Sequence, residues 1–116
     1  MNEINKRDWG WWHVLVEKEP SVKVKELILE PGGALSFQRH FKRNEHWFVL
    51  KGKFILYLED EKSKSERVYS EYETCVIPQG TWHQGCNPFD EPCSILEVQY
   101  GQLCVEEDIE RRHARI

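Results

Sequence analysis

The sequence predicts an all-β chain folded as one sandwich or barrel, closed by a short helical tail. Two observations carry the β prediction. Short aromatic and β-branched runs recur along the chain, and Gly, Pro and charged turn segments separate them at regular spacing. A third observation, the length of 116 residues, allows a single domain (1–116) with one modest core.

The elements follow in order. Trp11 to Val16 is aromatic and β-branched and ends before Pro20. Val22 to Leu29 is a second run, stopped by the Pro31-Gly32-Gly33 turn. Leu35, Phe37 and the residues up to His40 form a third. Trp47 to Leu50 is a fourth; Lys51-Gly52-Lys53 reads as a hairpin turn from which Phe54 to Leu58 returns. After the charged loop from Glu59 to Glu66 come shorter strands at Glu66 to Tyr69, Thr74 to Ile77, His83 to Cys86 and Ser94 to Tyr100. Only the strongly charged tail, Glu106 to Ala114, reads as helical.

Sixteen Lys and Arg against twenty Asp and Glu give a net charge of −4. No extended basic patch exists to meet a phosphate backbone, so nucleic acid is not expected as a partner. The start, MNEINKRDWGWW, lacks the apolar core of a signal peptide, and no apolar run reaches membrane-spanning length. A cytoplasmic location away from membranes is the expectation. Cys75, Cys86, Cys93 and Cys104 form no CxxC pair, which speaks against a structural zinc knuckle. In that compartment they are expected as buried apolar residues rather than disulfides.

The chemistry concentrates in QRHFKRNEHW, starting at Gln38. Gln38 and His40 lie two apart in an expected strand and leave it on one face. Glu45 follows after a four-residue turn, so two antiparallel strands can aim all three at one point. His83, which opens the strand after the Pro78–Gly80 turn, is the fourth candidate. Two imidazoles, a carboxylate and an amide oxygen suit one divalent first-row ion: Zn, Mn, Co or Ni, with Zn or Mn first among them. His13 and His113 read as ordinary polar positions, and His46 faces away from Glu45.

The same residues match two spaced motifs. Gly32, five residues, Gln38-Arg39-His40, four residues, Glu45, six residues and Gly52 reproduce the first cupin motif over residues 32–52, with Gln38 in place of its first histidine. Pro78-Gln79-Gly80, two residues, His83, three residues and Asn87 reproduce the second over 72–87, with Tyr72 in place of its leading glycine. The chain therefore resembles the cupin superfamily, which implies a double-stranded β-helix of jelly-roll type. A narrower resemblance runs from about Arg7 to Arg112, carried by RDWGWW, KVKELILEPGGALSFQ, HFKRNEHW, VIPQGTWH, LEVQYG and EEDIER. These segments are similar to the C-terminal domain of type II mannose-6-phosphate isomerases, often fused behind a mannose-1-phosphate guanylyltransferase domain. That resemblance implies a metal on Gln38, His40, Glu45 and His83 and a functional role for Arg43. Phe41 and Lys42 depart from a histidine run usual there, and Trp82 is bulkier than the usual residue. No nucleotidyltransferase domain is seen, so guanylyltransferase activity is not expected.

The implied activity interconverts mannose 6-phosphate and fructose 6-phosphate through an enediol. Arg43, expected in the turn between His40 and Glu45, would reach over the barrel mouth to the phosphate or the developing enediolate, with Lys42 as a second cation. Glu97 and Lys53 are the candidate bases, and Tyr57 is a candidate cavity wall. Two other readings stay open: a non-catalytic metal- or sugar-binding cupin, and an iron oxygenase built on His40, Glu45 and His83. By analogy with the fold, pairing through edge strands implies a homodimer.

Overall fold

The structure is a computed structural model and describes residues 3–112. Eleven strands run in chain order: β1 (Asn5–Arg7), β2 (Gly10–Lys18), β3 (Val22–Leu29), β4 (Phe37–Arg39), β5 (Arg43–Lys51), β6 (Lys53–Glu59), β7 (Lys64–Ser70), β8 (Thr74–Ile77), β9 (Trp82–Cys86), β10 (Cys93–Gly101) and β11 (Glu110–Arg112). They form a six-stranded sheet, β1-β2-β3-β10-β5-β8, and a five-stranded sheet, β11-β4-β9-β6-β7, with every pairing antiparallel. Among the described residues no helix is long and apolar enough to cross a membrane.

The expected helical tail is corrected. Val105 to Asp108 form turns, and Glu110–Arg112 is strand β11, paired with β4; His113 and Ala114 lie outside the described residues. The segment has no apolar stripe to bury as a helix. It gains more as an extended strap. Its backbone pairs with the edge of β4, Glu110 pairs with Arg39, and the Asp108 carboxylate accepts from the backbone N–H of Phe41 (3.0 Å) and Lys42 (2.9 Å).

Alternation along each strand decides what fills the space between the sheets. Leu27, Leu29, Leu35, Trp47, Val49, Phe54, Leu56, Ile77, Cys93 and Ile95 point inward and pack as one core. Halfway along the same strands the inward residues change character. In the large sheet the cross-strand row Leu27–Ile95–Val49 is apolar. The next rows inward-facing along the sheet are Lys25–Glu97–Trp47 and then Lys23–Gln99–Glu45. One end of the barrel is thus a dry core and the other a buried polar chamber. The four cysteines form no disulfide among the described residues: Cys75, Cys93 and Cys104 are buried and Cys86 is half-buried.

Two turns show why the motif glycines stand where they do. Gly52 joins β5 to β6 at φ 79°, where a Cβ would come 2.6 Å from the Pro92 carbonyl oxygen. Tyr72, the residue in place of the second motif's glycine, is also left-handed, at φ 71°. A non-glycine residue there carries a steric cost. Asn87, closing the second motif, is buried and ties three segments together. Its Nδ2 donates to the Leu29 and Glu91 carbonyls, and its Oδ1 accepts from the Phe89 N–H.

Candidate metal centre

His40 follows β4, Glu45 lies inside β5 and His83 inside β9, so the site spans both sheets. All three are buried, at 3%, 1% and 0% exposure, and one donor atom from each lies within 4.8 Å of the others. Gln38 faces His83 across the β4–β9 pair, so their side chains leave the sheet on the same side. Its Oε1 accepts from Ser36 Oγ at 3.2 Å, and its side chain lines the same cavity as His40.

The hydrogen bonds orient the donors. His40 Nδ1 donates to the Asp108 carbonyl (2.7 Å) and His83 Nδ1 to the Thr81 carbonyl (3.0 Å). Each ring therefore turns an unprotonated Nε2 toward the centre. Burial, outweighing the pull of Glu45, holds His40 down at about 4 and lowers His83 as well, so both imidazoles are neutral at neutral pH. His40 Nε2 lies 3.2 Å from Glu45 Oε2, and His83 Nε2 lies 3.9 Å from Glu45 Oε1. His83 Nε2 is buried without a hydrogen-bond partner.

The three groups have no proton to share among themselves, and the cation that meets two of them here is the Arg43 guanidinium; convergent lone pairs of this kind suit a metal ion. Donors about 2.0–2.2 Å from a common zinc stand no more than roughly 4.4 Å apart, so only a small tightening would place one ion among them. The residues fit a divalent ion.

Arg43 is not where the sequence reading put it. It is the first residue of β5 rather than part of a turn, and its side chain points inward, 5% exposed. Its Nε donates to Glu45 Oε2 (3.0 Å), Nη1 to the Val105 carbonyl (3.0 Å) and Nη2 to His40 Nε2 (3.2 Å). Burial opposes its charge, but the Glu45, Glu97 and Glu106 carboxylates outweigh burial and raise its pKa. For Glu45, burial works upward and is overcome by His83, His40 and Arg43, so its pKa is lowered. With both imidazoles neutral, Arg43 is the partner that matters near neutral pH. Glu97 goes the other way: burial and the Glu45 charge push it up.

Glu97 and Gln99 share the inward face of β10, and Gln99 Nε2 donates to Glu97 Oε1 at 2.8 Å. Lys42, Lys53 and Tyr57 are not brought to the site. Lys42 is exposed and held by its backbone, whose N–H donates to Asp108 and whose carbonyl accepts from the Leu103 N–H. Lys53 lies over the Phe89 ring on another part of the surface. Tyr57 alternates with the buried Phe54 and Leu56 and faces outward beside Gln84.

The sequence reading missed Lys25, whose Nζ pairs with Glu106 Oε2 at 2.5 Å and sits 3.9 Å above the Trp12 ring. The parity of Leu27 and Leu29 carries back through β3 to Lys25 and would have revealed it. The same parity from Cys93 and Ile95 leads to Glu97 and Gln99.

Two antiparallel sheets enclosing a buried His/Glu/His group make this a cupin. Solved structures agree on the fold. The capsular polysaccharide assembling protein CapF from Staphylococcus aureus superposes with a TM-score of 0.86 at 19% identity, covering 98% of this chain and 35% of that one. Oxalate decarboxylase from Bacillus subtilis, a protein with Mn(II) centres, superposes at 0.85 with 17% identity, covering 95% and 30%. Residues 2–114 match the family described as Mannose-6-phosphate isomerase C-terminal, and the chain belongs to that family. Among its relatives are the alginate biosynthesis protein AlgA of Pseudomonas putida, 36% identical over 107 residues, and a mannose-1-phosphate guanylyltransferase of Sinorhizobium fredii, 31% identical over 105. Each match takes in 90% of this chain, which spans about a fifth of those relatives' length (21% and 20%).

Proposed function

We propose that the chain is a metal-dependent aldose–ketose isomerase module that interconverts mannose 6-phosphate and fructose 6-phosphate. The observation that carries this reading is the buried His40–Glu45–His83 group, whose His40 lines one chamber with Gln38, Glu97 and the cations Lys25 and Arg43, in a chain of this family. Isomerisation moves a proton between C1 and C2 while charge builds on the adjacent oxygen, and an ion held by His40, Glu45, His83 and Gln38 supplies Lewis-acid stabilisation of that charge.

The remaining work falls to the chain. The Asp108 and Thr81 carbonyls fix both imidazoles in the ligating tautomer. Arg43 keeps Glu45 ionised and donates to His40 Nε2, the ring nitrogen turned to the centre, which makes it a positioning residue rather than a direct phosphate contact. Two further carboxyls line the chamber; Glu106 is taken by Lys25, so Glu97 is the group assigned to carry the proton, a role worth about 10²–10⁴-fold. The buried, unpartnered Gln99 Oε1 is available to a substrate hydroxyl.

The test is a coupled assay of the metal-loaded protein on mannose 6-phosphate beside a panel of other sugar phosphates. Turnover that Glu97→Gln abolishes without loss of metal supports the reading. Stoichiometric metal with no turnover on any sugar phosphate would replace it with a non-catalytic binding role.

A further inference from the structure

We propose that Arg111 and Arg7 form a clamp at the cavity mouth that binds the phosphate of the substrate. The clamp rests on the isomerase reading for the identity of the sugar, but its existence can be tested without turnover.

The first observation is position. In the small sheet the pairing runs Arg111↔Gln38 across β11–β4 and Gln38↔His83 across β4–β9. The three residues form one cross-strand row, so their side chains share the inward face. Its neighbour Arg112 faces outward, over the rings of Phe37 and Trp82. Arg111 thus stands at the rim of the row whose centre holds the candidate ligands. Arg7 comes from β1, the edge strand of the other sheet, and lines the same cavity.

The second observation is charge. Lys25, Arg43, Arg7 and Arg111 all line this cavity. Lys25 is taken by Glu106 and Arg43 by Glu45. Among the described residues Arg7 donates only to the carbonyl of its neighbour Lys6 (2.8 Å). The Arg111 side chain has no hydrogen bond or ion pair among the described residues, whereas Arg39 and Arg112 on the outer face pair with Glu110 and Glu59. Arg7 also lies 5.8 Å from the centroid of the Trp12 ring that already carries the Lys25 ammonium at 3.9 Å. Cations gathered on one rim without a matching carboxylate leave a positive field that an anion would satisfy. Paired guanidinium forks suit the oxygens of a phosphate monoester.

The third observation is size. Pockets that enclose a whole small ligand run to roughly 300–1,000 Å³. This cavity is about 130 Å³. It takes the reacting end of a sugar near His40 and Glu97 and leaves the far end at the mouth. That is where a 6-phosphate would be, six carbons from an aldehyde that must reach the chamber, and where Arg111 and Arg7 stand.

The experiment is calorimetric titration of the zinc-loaded protein with sorbitol 6-phosphate, which has no carbonyl to react, and with sorbitol. Wild type is expected to prefer the phosphate ester strongly. Arg111→Ala should weaken that binding about 10- to 100-fold, the range for losing charge-assisted hydrogen bonds, with bound zinc and sorbitol affinity unchanged. Arg7→Ala should act in the same direction, and Arg111→Lys should recover only part because the fork is lost. Because Arg111 and Arg7 are exposed, the fold does not depend on them. Equal binding of ester and polyol by wild type, or full ester affinity in Arg111→Ala, overturns the clamp. Loss of ester affinity in these variants, in a protein that isomerises no sugar phosphate, upholds the clamp while removing the isomerase reading.

Discussion

Replacing Arg43 by alanine tests how the site is held together. Arg43 and Glu45 are both buried, joined at 3.0 Å, and each guanidinium nitrogen has a partner within the site. The variant leaves Glu45 with neutral partners alone: the Trp47 Nε1 hydrogen bond (2.9 Å), the Glu97 carboxyl, whose pKa is raised, and two neutral rings. Stranding one charge of a buried pair costs about 3–5 kcal/mol. Protonating Glu45 instead, from an ordinary value of 4.5 to neutral at pH 7, costs about 3 kcal/mol, so that escape offers little relief. At about 4 °C per kcal/mol for a domain of this size, the thermal midpoint should fall by roughly 12–20 °C. The assay is thermal or urea unfolding in chelator and again with zinc. Zinc should narrow the gap, because a bound cation takes over the neutralisation of Glu45. Placing Arg43→Ala in a Glu45→Gln background should remove most of the penalty. A cost below about 1 kcal/mol in chelator, or an equal cost in the Glu45→Gln background, would refute this account of the pair.

Two further outcomes follow from the geometry. His83→Ala should lose stoichiometric zinc in equilibrium dialysis while Gln38→Ala keeps the ion at reduced affinity; one equivalent of tightly bound zinc in His83→Ala would dismiss the converging donors as a metal centre. At the left-handed turn, Tyr72→Val should be about 1–2 kcal/mol less stable than Tyr72→Gly in urea unfolding. Both variants lose the ring that lies 6.2 Å from Phe48, so equal midpoints would mean the turn carries no backbone strain.

Much of this molecule was readable in one dimension because its information is local. Aromatic and β-branched runs between Gly- and Pro-marked turns place Trp11 to Val16, Val22 to Leu29 and Ser94 to Tyr100 in strands. The i,i+2 spacing of Gln38 and His40 and the spacing to Glu45 and His83 name the candidate ligands, because a motif of this kind is written in sequence separations. The tail was misread for the complementary reason. Its charges suit an exposed helix when taken alone, and only the unpaired edge of β4 and the N–H groups of Phe41 and Lys42 make the extended form better.

What the sequence determined by itself is nine of the eleven strands, the family and the metal-ligand candidates. What tertiary structure decided is which charges face inward together. Lys25 lies fifteen or more residues from His40, Arg43 and Glu97 yet lines one chamber with them, because β10 sits between β3 and β5 and aligns their polar ends. Arg43 moved from an expected reach over the mouth to a buried strut, and Lys42, Lys53 and Tyr57 fell outside the chamber. A side chain's charge is a local property, but its partner is set by strand order and register. A shift of one residue along a strand would turn every one of these groups to the opposite face.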